Sequence, residues 1–448
     1  MLDSIQAQED FVLKIRKCHR QCASSVEAKK MKMSEKSEFL RQSLESNCFG
    51  LREINVVSPL DSSIRFKGSV AKNGRFFSSA ALPMQVAFHC ETVEGGGSTI
   101  SGTKSVSNDI DGRQIVASSS SLSASGLEAG AKLEGGGQTT AAHLRSLSLA
   151  SKQQPALAKI DSFFERPMSQ FVFKTGTEEK PEDMRQDQLV VQFFEVCDRL
   201  FKKSGNLDLA LTPYKVVCLS RNDGMMEFLD GARNISDIQT EYKKSRYSLQ
   251  QWFRDLPKNQ DDSRKDGIAA EVVDTFVRSS AGYCVMTYVL NVGDRHLENL
   301  MVKQDGHLLH IDFGFIFGAN PFDKKVLSTP LRLIDEMMAV MGDPGSKDYN
   351  SFERHCCSAF KILRKNCNLI CTMLELMADA GIKDLSVNQD TMTVIAGVKE
   401  RLCMSKTDED AAQSWLLDKL AQSANNWKGK VMDSMHSMAV SIKFGGTD

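Results

Sequence analysis

Two short apolar runs on either side of Asp305-Gly306 constrain this chain more than any other feature. Leu300–Val302 and Leu308–Ile311 have the composition of strands, and an Asp-Gly pair between two such runs is typical of a hairpin turn. A polar segment adjoins each outer end of this hairpin: Gly293–Asn299 comes before it, and Asp312-Phe-Gly follows it. Pairing of the two strands would therefore place these two polar segments side by side.

The two polar segments supply groups that phosphoryl transfer requires. Asp294 and His296 can exchange a proton with a hydroxyl group, since an ordinary histidine titrates near physiological pH. Asn299 and Asp312 offer amide and carboxylate oxygens that can hold Mg²⁺ against the phosphates of ATP. A surface hairpin with a solvated aspartate is the alternative, which the motif residues at both ends of the hairpin disfavour.

Composition restricts the classes of protein to which the chain can belong. Of the 448 residues, 41% are apolar and 25% are charged, as expected of a globular protein with a core. The formal net charge of −1 provides no overall field for binding nucleic acid. The polar N-terminus predicts no secretory signal, and no apolar run approaches the roughly 18 residues of a membrane-spanning helix.

The twelve cysteines are dispersed along the chain, which favours a reducing compartment. One cluster has residue types that bind zinc: His355, Cys356, Cys357, Cys367 and Cys371. Its last two cysteines are one helical turn apart in an amphipathic segment. We therefore interpret the cluster as buried thiols within helices.

Apolar periodicity predicts a strand-rich part followed by a helix-rich part. Residues 8–47 and 185–203 have helical spacing, and residues 51–92 and 171–174 contain strand-like runs. Helical patterns dominate from residue 271 onward. This order predicts a sheet-bearing small lobe and a larger helical lobe.

A turn of small residues and one lysine are candidates for binding phosphate. Ser78 and Ser79 lie in Phe76–Pro83, where small side chains let the backbone approach an anion and hydroxyls can donate to it. Lys174 ends an apolar strand and offers a cation. Residues 94–152 separate the two, and their glycine- and serine-rich composition predicts a disordered insertion that can loop out at modest entropic cost.

Three longer segments resemble class III phosphatidylinositol 3-kinases, of the phosphatidylinositol 3- and 4-kinase superfamily. They are Asp183–Leu189, Leu207–Val216 and Gly282–Leu300, and the last contains Asp-Arg-His instead of the His-Arg-Asp order of protein kinases. The resemblance runs from the N-terminal helix to near the C-terminus, apart from the low-complexity tract. It implies an α+β, bilobal kinase-like fold with an antiparallel-sheet N-lobe and a mostly helical C-lobe.

The expected domains follow from this resemblance. Residues 1–50 would form a connecting helix, residues 51–92 and 165–235 the N-lobe, residues 93–164 the disordered Gly/Ser-rich insertion, and residues 236–448 the C-lobe with a C-terminal amphipathic helix. The C2 and helical domains that precede the kinase domain in the family have no counterpart in these residues. We therefore expect a fragment, an incomplete gene model or a truncated form.

The resemblance also implies roles for individual residues. A phosphate loop, a lysine, two pocket residues and an adenine-contacting hinge would bind ATP: Ser78, Ser79, Lys174, Asp187, Tyr214, Met226, Glu227, Phe228 and Leu229. Asp294, Arg295 and His296 would be catalytic, and Asn299 and Asp312 would hold Mg²⁺ or Mn²⁺.

The low charge of the segment after Asp312 bears on the acceptor. Its basic residues are Lys324, Lys325 and Arg332, partly offset by Asp323. By the resemblance, this segment reads the lipid headgroup, and multiply phosphorylated headgroups go with more cationic loops. The segment therefore favours plain phosphatidylinositol, and an exposed lysine pair without a headgroup role is the alternative.

The C-terminal segment predicts an amphipathic, basic helix. Thr407–Asp410 has the pattern of a capping box, and apolar residues recur at helical spacing from Trp415 to Phe444 with lysines among them. Such a helix can lie in a membrane interface. A helix packed on its own domain is the alternative, and we expect the first half to belong to the core.

We therefore expect a lipid kinase that transfers the γ-phosphate of ATP to the 3-hydroxyl of phosphatidylinositol in membranes. The resemblance implies a cytoplasmic protein, peripheral on endosomal or autophagosomal membranes, with a regulatory protein kinase-like subunit and a beclin-like subunit and no nucleic acid as partners. A phosphatidylinositol 4-kinase, a protein kinase of the related giant-kinase family and a non-catalytic pseudokinase scaffold are the alternatives. The intact motif residues disfavour the scaffold.

Overall fold

The chain folds as an antiparallel sheet followed by a larger helical part, in a computed structural model. The residues that the structure describes are 2–77, 82–93, 168–176, 183–319 and 331–424. Several predictions fall outside these residues: those for Ser78, Ser79, Lys324 and Lys325, for nearly all of the insertion at 93–164, and for the C-terminal segment beyond Ala424.

Seven strands form the sheet of the N-lobe: β1 (Val56–Val57), β2 (Ile64–Ser69), β3 (Arg75–Phe76), β4 (Met84–Thr92), β5 (Met168–Thr175), β6 (Val216–Cys218) and β7 (Asp223–Glu227). Six of them follow one another in the order β1-β2-β4-β5-β7-β6, and β3 pairs with β4. Every pairing is antiparallel. The strands predicted within 51–92 and 171–174 are therefore confirmed.

A second, three-stranded sheet contains the predicted hairpin. It consists of β8 (Ala232–Asn234), β9 (Leu300–Lys303) and β10 (Leu308–His310), in the order β10-β9-β8. Leu308 pairs with Val302, and His310 pairs with Leu300, as the hairpin requires. The turn needs glycine at Gly306, where φ is 93° and a Cβ atom would lie 2.2 Å from the carbonyl oxygen of Val272.

Eleven helices lie in the described residues: α1 (Leu2–His19), α2 (Met33–Glu45), α3 (Met184–Gly205), α4 (Ile235–Glu241), α5 (Ser248–Asp255), α6 (Ala270–Val289), α7 (Asp335–Met341), α8 (Lys347–Lys365), α9 (Cys367–Leu376), α10 (Thr391–Arg401) and α11 (Glu409–Ala424). The helix predicted at 185–203 is confirmed by α3. The helical spacing predicted at 8–47 is confirmed in two helices, with a break between α1 and α2.

Local hydrogen bonding explains this break. A π-helical turn, Arg20–Ser24, follows α1, and Ser25 is extended, with ψ of 161°. The hydroxyl oxygen of Ser25 accepts a hydrogen bond from the backbone N–H of Ala28, 3.1 Å away. Serine side chains that bond to nearby backbone in this way compete with helix continuation.

Residues 1–50 belong to the core of the N-lobe rather than forming a separate connecting element. Phe11 of α1 packs against the sheet, with its ring centroid 5.7 Å from Phe66, 5.6 Å from Phe88 and 6.3 Å from Phe171. All four rings are buried. The boundary predicted at residue 50 therefore does not separate two cores.

The larger core gathers the helices of the C-lobe together with α3. Phe194 of α3 makes edge contacts with Tyr283 of α6, at 5.5 Å, and with Phe313, at 5.3 Å. Leu416 and Leu420 of α11 are fully buried in the same core, which confirms the expectation for the first half of the last helix. These two cores confirm the α+β, bilobal architecture.

The cysteine cluster is part of this larger core. Cys356, Cys367 and Cys371 are buried, which confirms the interpretation as helical thiols for these three residues. Within the described ranges, no group of three or more His, Cys, Asp or Glu residues is arranged to hold a metal ion. None of the helices described is long and apolar enough to cross a membrane.

His19 attaches the end of α1 to the sheet and remains uncharged there. Its side chain is buried, and its Nε2 atom lies 2.8 Å from the carbonyl oxygen of Leu82. The ring also makes edge contacts with Phe76 and Phe173. Burial lowers the pKa of His19 below its usual 6.5, despite the opposing effect of the bond to Leu82.

We predict that His19→Gln reduces the dependence of stability on pH. Because the pKa of His19 is lowered in the fold, the unfolded chain binds more protons below pH 6.5, and the free energy of unfolding falls as the pH falls. Between about pH 7.5 and about pH 5.5, His19 should account for up to about 1.4 kcal/mol of this loss. Urea denaturation of both proteins at the two pH values measures the difference, and parallel losses would contradict the assignment.

Candidate active site

Lys174 and Asp312 meet where the N-lobe sheet faces the end of the hairpin. The Nζ atom of Lys174 lies 3.2 Å from Oδ2 of Asp312. Lys174 is buried, whereas 39% of the Asp312 side chain is accessible. Burial opposes the charge of Asp312, but Lys174 and then Arg295 outweigh it and hold the pKa of this carboxyl below its usual value. The site therefore presents an ionised carboxylate.

Asn299 lies beside Asp312, as the hairpin predicts. The backbone N–H of Ile311 donates to the carbonyl oxygen of Asn299 at 3.1 Å, which brings the two ends of the hairpin together. The side-chain Nδ2 of Asn299 donates to the carbonyl oxygen of Asp294 at 2.9 Å and lies 3.2 Å from Nε2 of His296. The amide nitrogen of Asn299 is therefore turned towards this loop.

Asp294 and His296 lie together, and their loop has an unusual backbone. Nε2 of His296 is 3.8 Å from Oδ2 of Asp294. Asp294 has φ of 51° and Asp312 has φ of 59°, so both carboxylates stand on left-handed backbone. Such conformations cost about 1–3 kcal/mol each and occur mostly where the surrounding structure holds them in place.

Arg295, which the sequence predicts to be catalytic, directs its guanidinium to main-chain carbonyl groups in this structure. Its guanidinium is buried and donates to three carbonyl oxygens: that of Gly293 at 3.0 Å, that of Ile311 at 2.7 Å, and that of Asp312. It also lies over the ring of Phe313, 5.3 Å from the centroid. With these bonds made, the guanidinium joins the two polar segments, Gly293–Asn299 and Asp312-Phe-Gly.

Helix α3 fixes the backbone next to Asp312. Oδ1 of Asp187 accepts a hydrogen bond from the N–H of Phe313 at 3.1 Å, and Nε2 of Gln186 donates to the carbonyl oxygen of Phe313 at 3.0 Å. Both α3 side chains are buried. Asp187, predicted to line the nucleotide pocket, therefore holds the main chain next to Asp312.

Tyr214 contributes a polar atom suited to a bound ligand. The residue is buried, and its hydroxyl has no hydrogen-bond partner in the part of the chain that the structure describes. Burial, and then the charge of Asp187, raise the pKa of Tyr214 well above its usual value, so the hydroxyl keeps its proton. Buried hydroxyl groups are normally hydrogen-bonded, so this one fits a pocket in which a polar group of a bound ligand supplies the partner.

Met226–Leu229 link the two sheets, where a hinge is expected. The backbone N–H of Glu227 donates to the carbonyl oxygen of Lys215 at 2.8 Å, and that of Phe228 donates to the carbonyl oxygen of Gln170 at 3.2 Å. These two N–H groups are therefore not available to an adenine base. A contact of the base with Glu227 or Phe228 has to use other atoms of these residues.

Arg332, which the sequence predicts to read the headgroup, makes a contact inside the protein in this structure. Its side chain is buried, and Nε donates to the carbonyl oxygen of Arg295 at 2.9 Å. The residue supports the loop of Asp294 from inside the protein. Lys324 and Lys325, the other predicted headgroup residues, and Ser78 and Ser79 of the phosphate loop lie outside the described residues.

Asp384 is a site-supporting residue that the sequence did not reveal. It is fully buried, and its Oδ2 accepts from Nε2 of Gln186 at 3.0 Å and from the backbone N–H of Ile316 at 3.1 Å. These bonds fix the chain that follows Gly314. Asp384 and Gln186 are 198 residues apart, so no local pattern could have connected them.

Comparison with known proteins gives one family and several relatives. Residues 176–387 match the family described as "Phosphatidylinositol 3- and 4-kinase". The chain is 38% identical over 268 residues to "Phosphatidylinositol 3-kinase VPS34" of Arabidopsis thaliana and 37% identical over 271 residues to "Phosphatidylinositol 3-kinase pik3" of Schizosaccharomyces pombe. It is 35% identical over 268 residues to "Phosphatidylinositol 3-kinase VPS34" of Saccharomyces cerevisiae.

These alignments cover a part of each relative. Each includes 60% of this chain, against 31%, 32% and 28% of the three relatives in the same order. The chain thus spans about a third of the length of the curated relatives it matches.

We predict that Arg295→Lys destabilises the protein by about 2–4 kcal/mol, because a lysine cannot satisfy three carbonyl oxygens in a buried site. Urea denaturation measures the free energy of unfolding. Arg233→Lys is the control, since Arg233 is partly exposed and pairs with Glu241 at the surface, and its effect should stay within about 0.5 kcal/mol. Equal stability of the two variants would refute the positioning role of Arg295.

Proposed function

We propose that the protein is a lipid kinase, on the premise that residues 176–387 match the phosphatidylinositol 3- and 4-kinase family. It transfers the γ-phosphate of ATP to the 3-hydroxyl of phosphatidylinositol and produces phosphatidylinositol 3-phosphate. The observation that carries the proposal is the ionised Asp312, held by Lys174 beside Asp294, His296 and Asn299. These are the groups that phosphoryl transfer from ATP requires.

Each group has a defined part in the reaction. The hydroxyl oxygen of the lipid attacks the γ-phosphorus, the new O–P bond forms, and the bond to the bridging oxygen breaks, so that ADP leaves. The pair of Asp294 and His296 takes up the hydroxyl proton. Lys174 contributes a buried positive charge for the phosphates of ATP.

The donor atoms present fit a divalent cation. Oδ1 of Asn299 and the carboxylate of Asp312 are the hard oxygen ligands that Mg²⁺ and Mn²⁺ prefer, and Asp312 is ionised. When bound, the cation neutralises charge on the transferred phosphoryl group. Tyr214 fits the same pocket, since its buried hydroxyl lacks a partner among the described residues.

The choice of the 3-hydroxyl is supported by the relatives rather than by the geometry. The three relatives compared are named phosphatidylinositol 3-kinases, whereas the description of the family includes 4-kinases. A phosphatidylinositol 4-kinase is therefore the second candidate. The low charge of the segment after Asp312 supports an unphosphorylated headgroup for either enzyme.

The cellular setting is a further part of the proposal. We place the protein on the cytoplasmic face of endosomal or autophagosomal membranes, in membrane trafficking and autophagy, as a peripheral protein. Its partners would be a regulatory protein kinase-like subunit and a beclin-like subunit. The resemblance to class III enzymes supports these assignments, and within the described residues no helix suits a membrane span.

We predict that the purified protein, given labelled ATP and phosphatidylinositol vesicles, yields phosphatidylinositol 3-phosphate. Chromatographic separation of the deacylated products distinguishes the 3-phosphate from the 4-phosphate. A 4-phosphate product would establish the second candidate instead. Binding of ATP without any lipid product would identify a scaffold.

We predict that Asp312→Asn lowers turnover at least about 100-fold. The neutral amide lacks the negative charge that binds the metal ion and pairs with Lys174. The measurement is the initial rate of lipid phosphorylation at saturating ATP. Asp343→Asn is the matched control, since Asp343 is exposed, and it should retain the wild-type rate. Retained activity in Asp312→Asn would overturn the metal assignment.

A further inference from the structure

A basic groove on α1 lies outside the catalytic machinery. It has a volume of about 560 Å³ and is lined by Leu13, Arg16, Lys17, Arg20 and Gln21. Leu13, Lys17 and Arg20 recur at helical spacing and are exposed, so they lie on one face at the end of the helix. We call this surface, together with Val26, the turn Ala28–Lys30 and Lys32, which follow it in sequence, the basic groove.

The charge of this segment is strongly one-sided. Between Leu13 and Lys32 the chain has seven lysine and arginine residues and one acidic residue, Glu27. Five of these cations are exposed, and none of the five forms an ion pair with a carboxylate in the described ranges: Lys17, Arg20, Lys29, Lys30 and Lys32. Asp10, which precedes the groove, pairs with Lys14 at 2.7 Å. The groove therefore keeps unneutralised positive charge in a protein whose net charge is −1.

Exposed apolar side chains accompany these cations. Leu13 is 59% exposed, and Val26 is 77% exposed. Aliphatic side chains among lysines and arginines are typical of surfaces that enter the headgroup region of a bilayer. The stretch from Leu13 to Lys32 contains no Phe, Tyr or Trp, and its one histidine, His19, is buried. It therefore offers no exposed ring on which a base could stack, which disfavours single-stranded nucleic acid.

The groove is held firmly on the N-lobe. Phe11, Ile15 and Cys18, on the opposite side of α1, are buried in the core. Arg16, which lines the groove, forms an ion pair with Asp223 of β7, and Asp223 also accepts a hydrogen bond from Thr175. The cations are therefore presented by a structured surface rather than by a loose tail.

We propose that the basic groove docks the protein on an anionic lipid bilayer. Lys17, Arg20 and the lysines of the following turn contact negatively charged headgroups, while Leu13 and Val26 enter the interface. This contact goes beyond the proposed lipid kinase activity, because it involves neither ATP nor the residues around Asp312. It requires anionic lipid of any headgroup and no particular inositol lipid.

The test is sedimentation of the full chain, without ATP, with vesicles of phosphatidylcholine alone or of phosphatidylcholine and phosphatidylserine. The wild type should bind the phosphatidylserine vesicles more tightly, and added salt should weaken this binding. Lys17→Ala combined with Arg20→Ala should weaken it about 30-fold, the order expected for two basic side chains at an anionic surface. Leu13→Gln should weaken it without changing its dependence on salt.

Lys202→Ala combined with Lys203→Ala is the control, because it removes the same charge from the exposed end of α3. This variant should bind as the wild type does. Thermal unfolding identifies any variant that fails to fold, and Lys29→Ala combined with Lys30→Ala then replaces the first pair with the same expectation.

Three results would overturn the proposal. The first is that the wild type binds both kinds of vesicle equally. The second is that the groove variants bind phosphatidylserine vesicles as the wild type does. The third is that these variants lose binding of a duplex oligonucleotide but keep binding of vesicles. Turnover of detergent-dispersed phosphatidylinositol is measured separately. Its absence, with vesicle binding intact, would refute the lipid kinase and leave the groove assignment standing.

Discussion

The guanidinium of Arg295 is the constraint on which the candidate active site depends. A single buried side chain binds the carbonyl oxygens of Gly293, Ile311 and Asp312, and thereby joins the segment before the hairpin to the segment after it. Arg332 supports this arrangement by donating to the carbonyl oxygen of Arg295. Because a guanidinium has five donors in a fixed plane, it can satisfy several carbonyl groups at once. The left-handed backbone at Asp294 and Asp312 is held in this framework.

The remaining supports come from distant parts of the chain. Helix α3 binds both the N–H and the carbonyl oxygen of Phe313, and Asp384 continues these bonds to Ile316. From the other side, Lys174 extends from β5 to Asp312. The charged groups of the site therefore rest on rigid elements, which is the condition for preorganised electrostatic stabilisation.

The strand carrying Lys174 is itself linked to the N-terminal helix. Thr175, the next residue, donates to Asp223, and Asp223 pairs with Arg16 of α1. Residues 1–50 thus support the sheet at the end of β5, in addition to the aromatic contacts of Phe11. This explains why the predicted boundary at residue 50 has no counterpart in the packing.

Local patterns predicted the elements whose partners are close in sequence. The Asp305-Gly306 turn with its two apolar runs predicted β9 and β10, and regular apolar spacing predicted α3. The break between α1 and α2 was missed, because it rests on hydrogen bonds and packing that apolar spacing does not report. Sequence patterns also missed Asp384 and the positioning roles of Arg295, Arg332 and Asp187. Each role depends on how deeply the side chain is buried and on its hydrogen-bond partners. Both are properties of the fold rather than of a motif.

What the sequence determined by itself is the chemistry: a hairpin with Asp294, His296 and Asn299 at one end and Asp312 beside them, since strand pairing follows from local composition. Tertiary structure alone decided which charged groups remain accessible. Arg295 and Arg332 have the same residue type as exposed cations elsewhere, yet both are buried. The N–H groups of these two arginines donate to backbone carbonyl oxygens and so stabilise the site. The cations of the basic groove, in contrast, remain exposed at the surface.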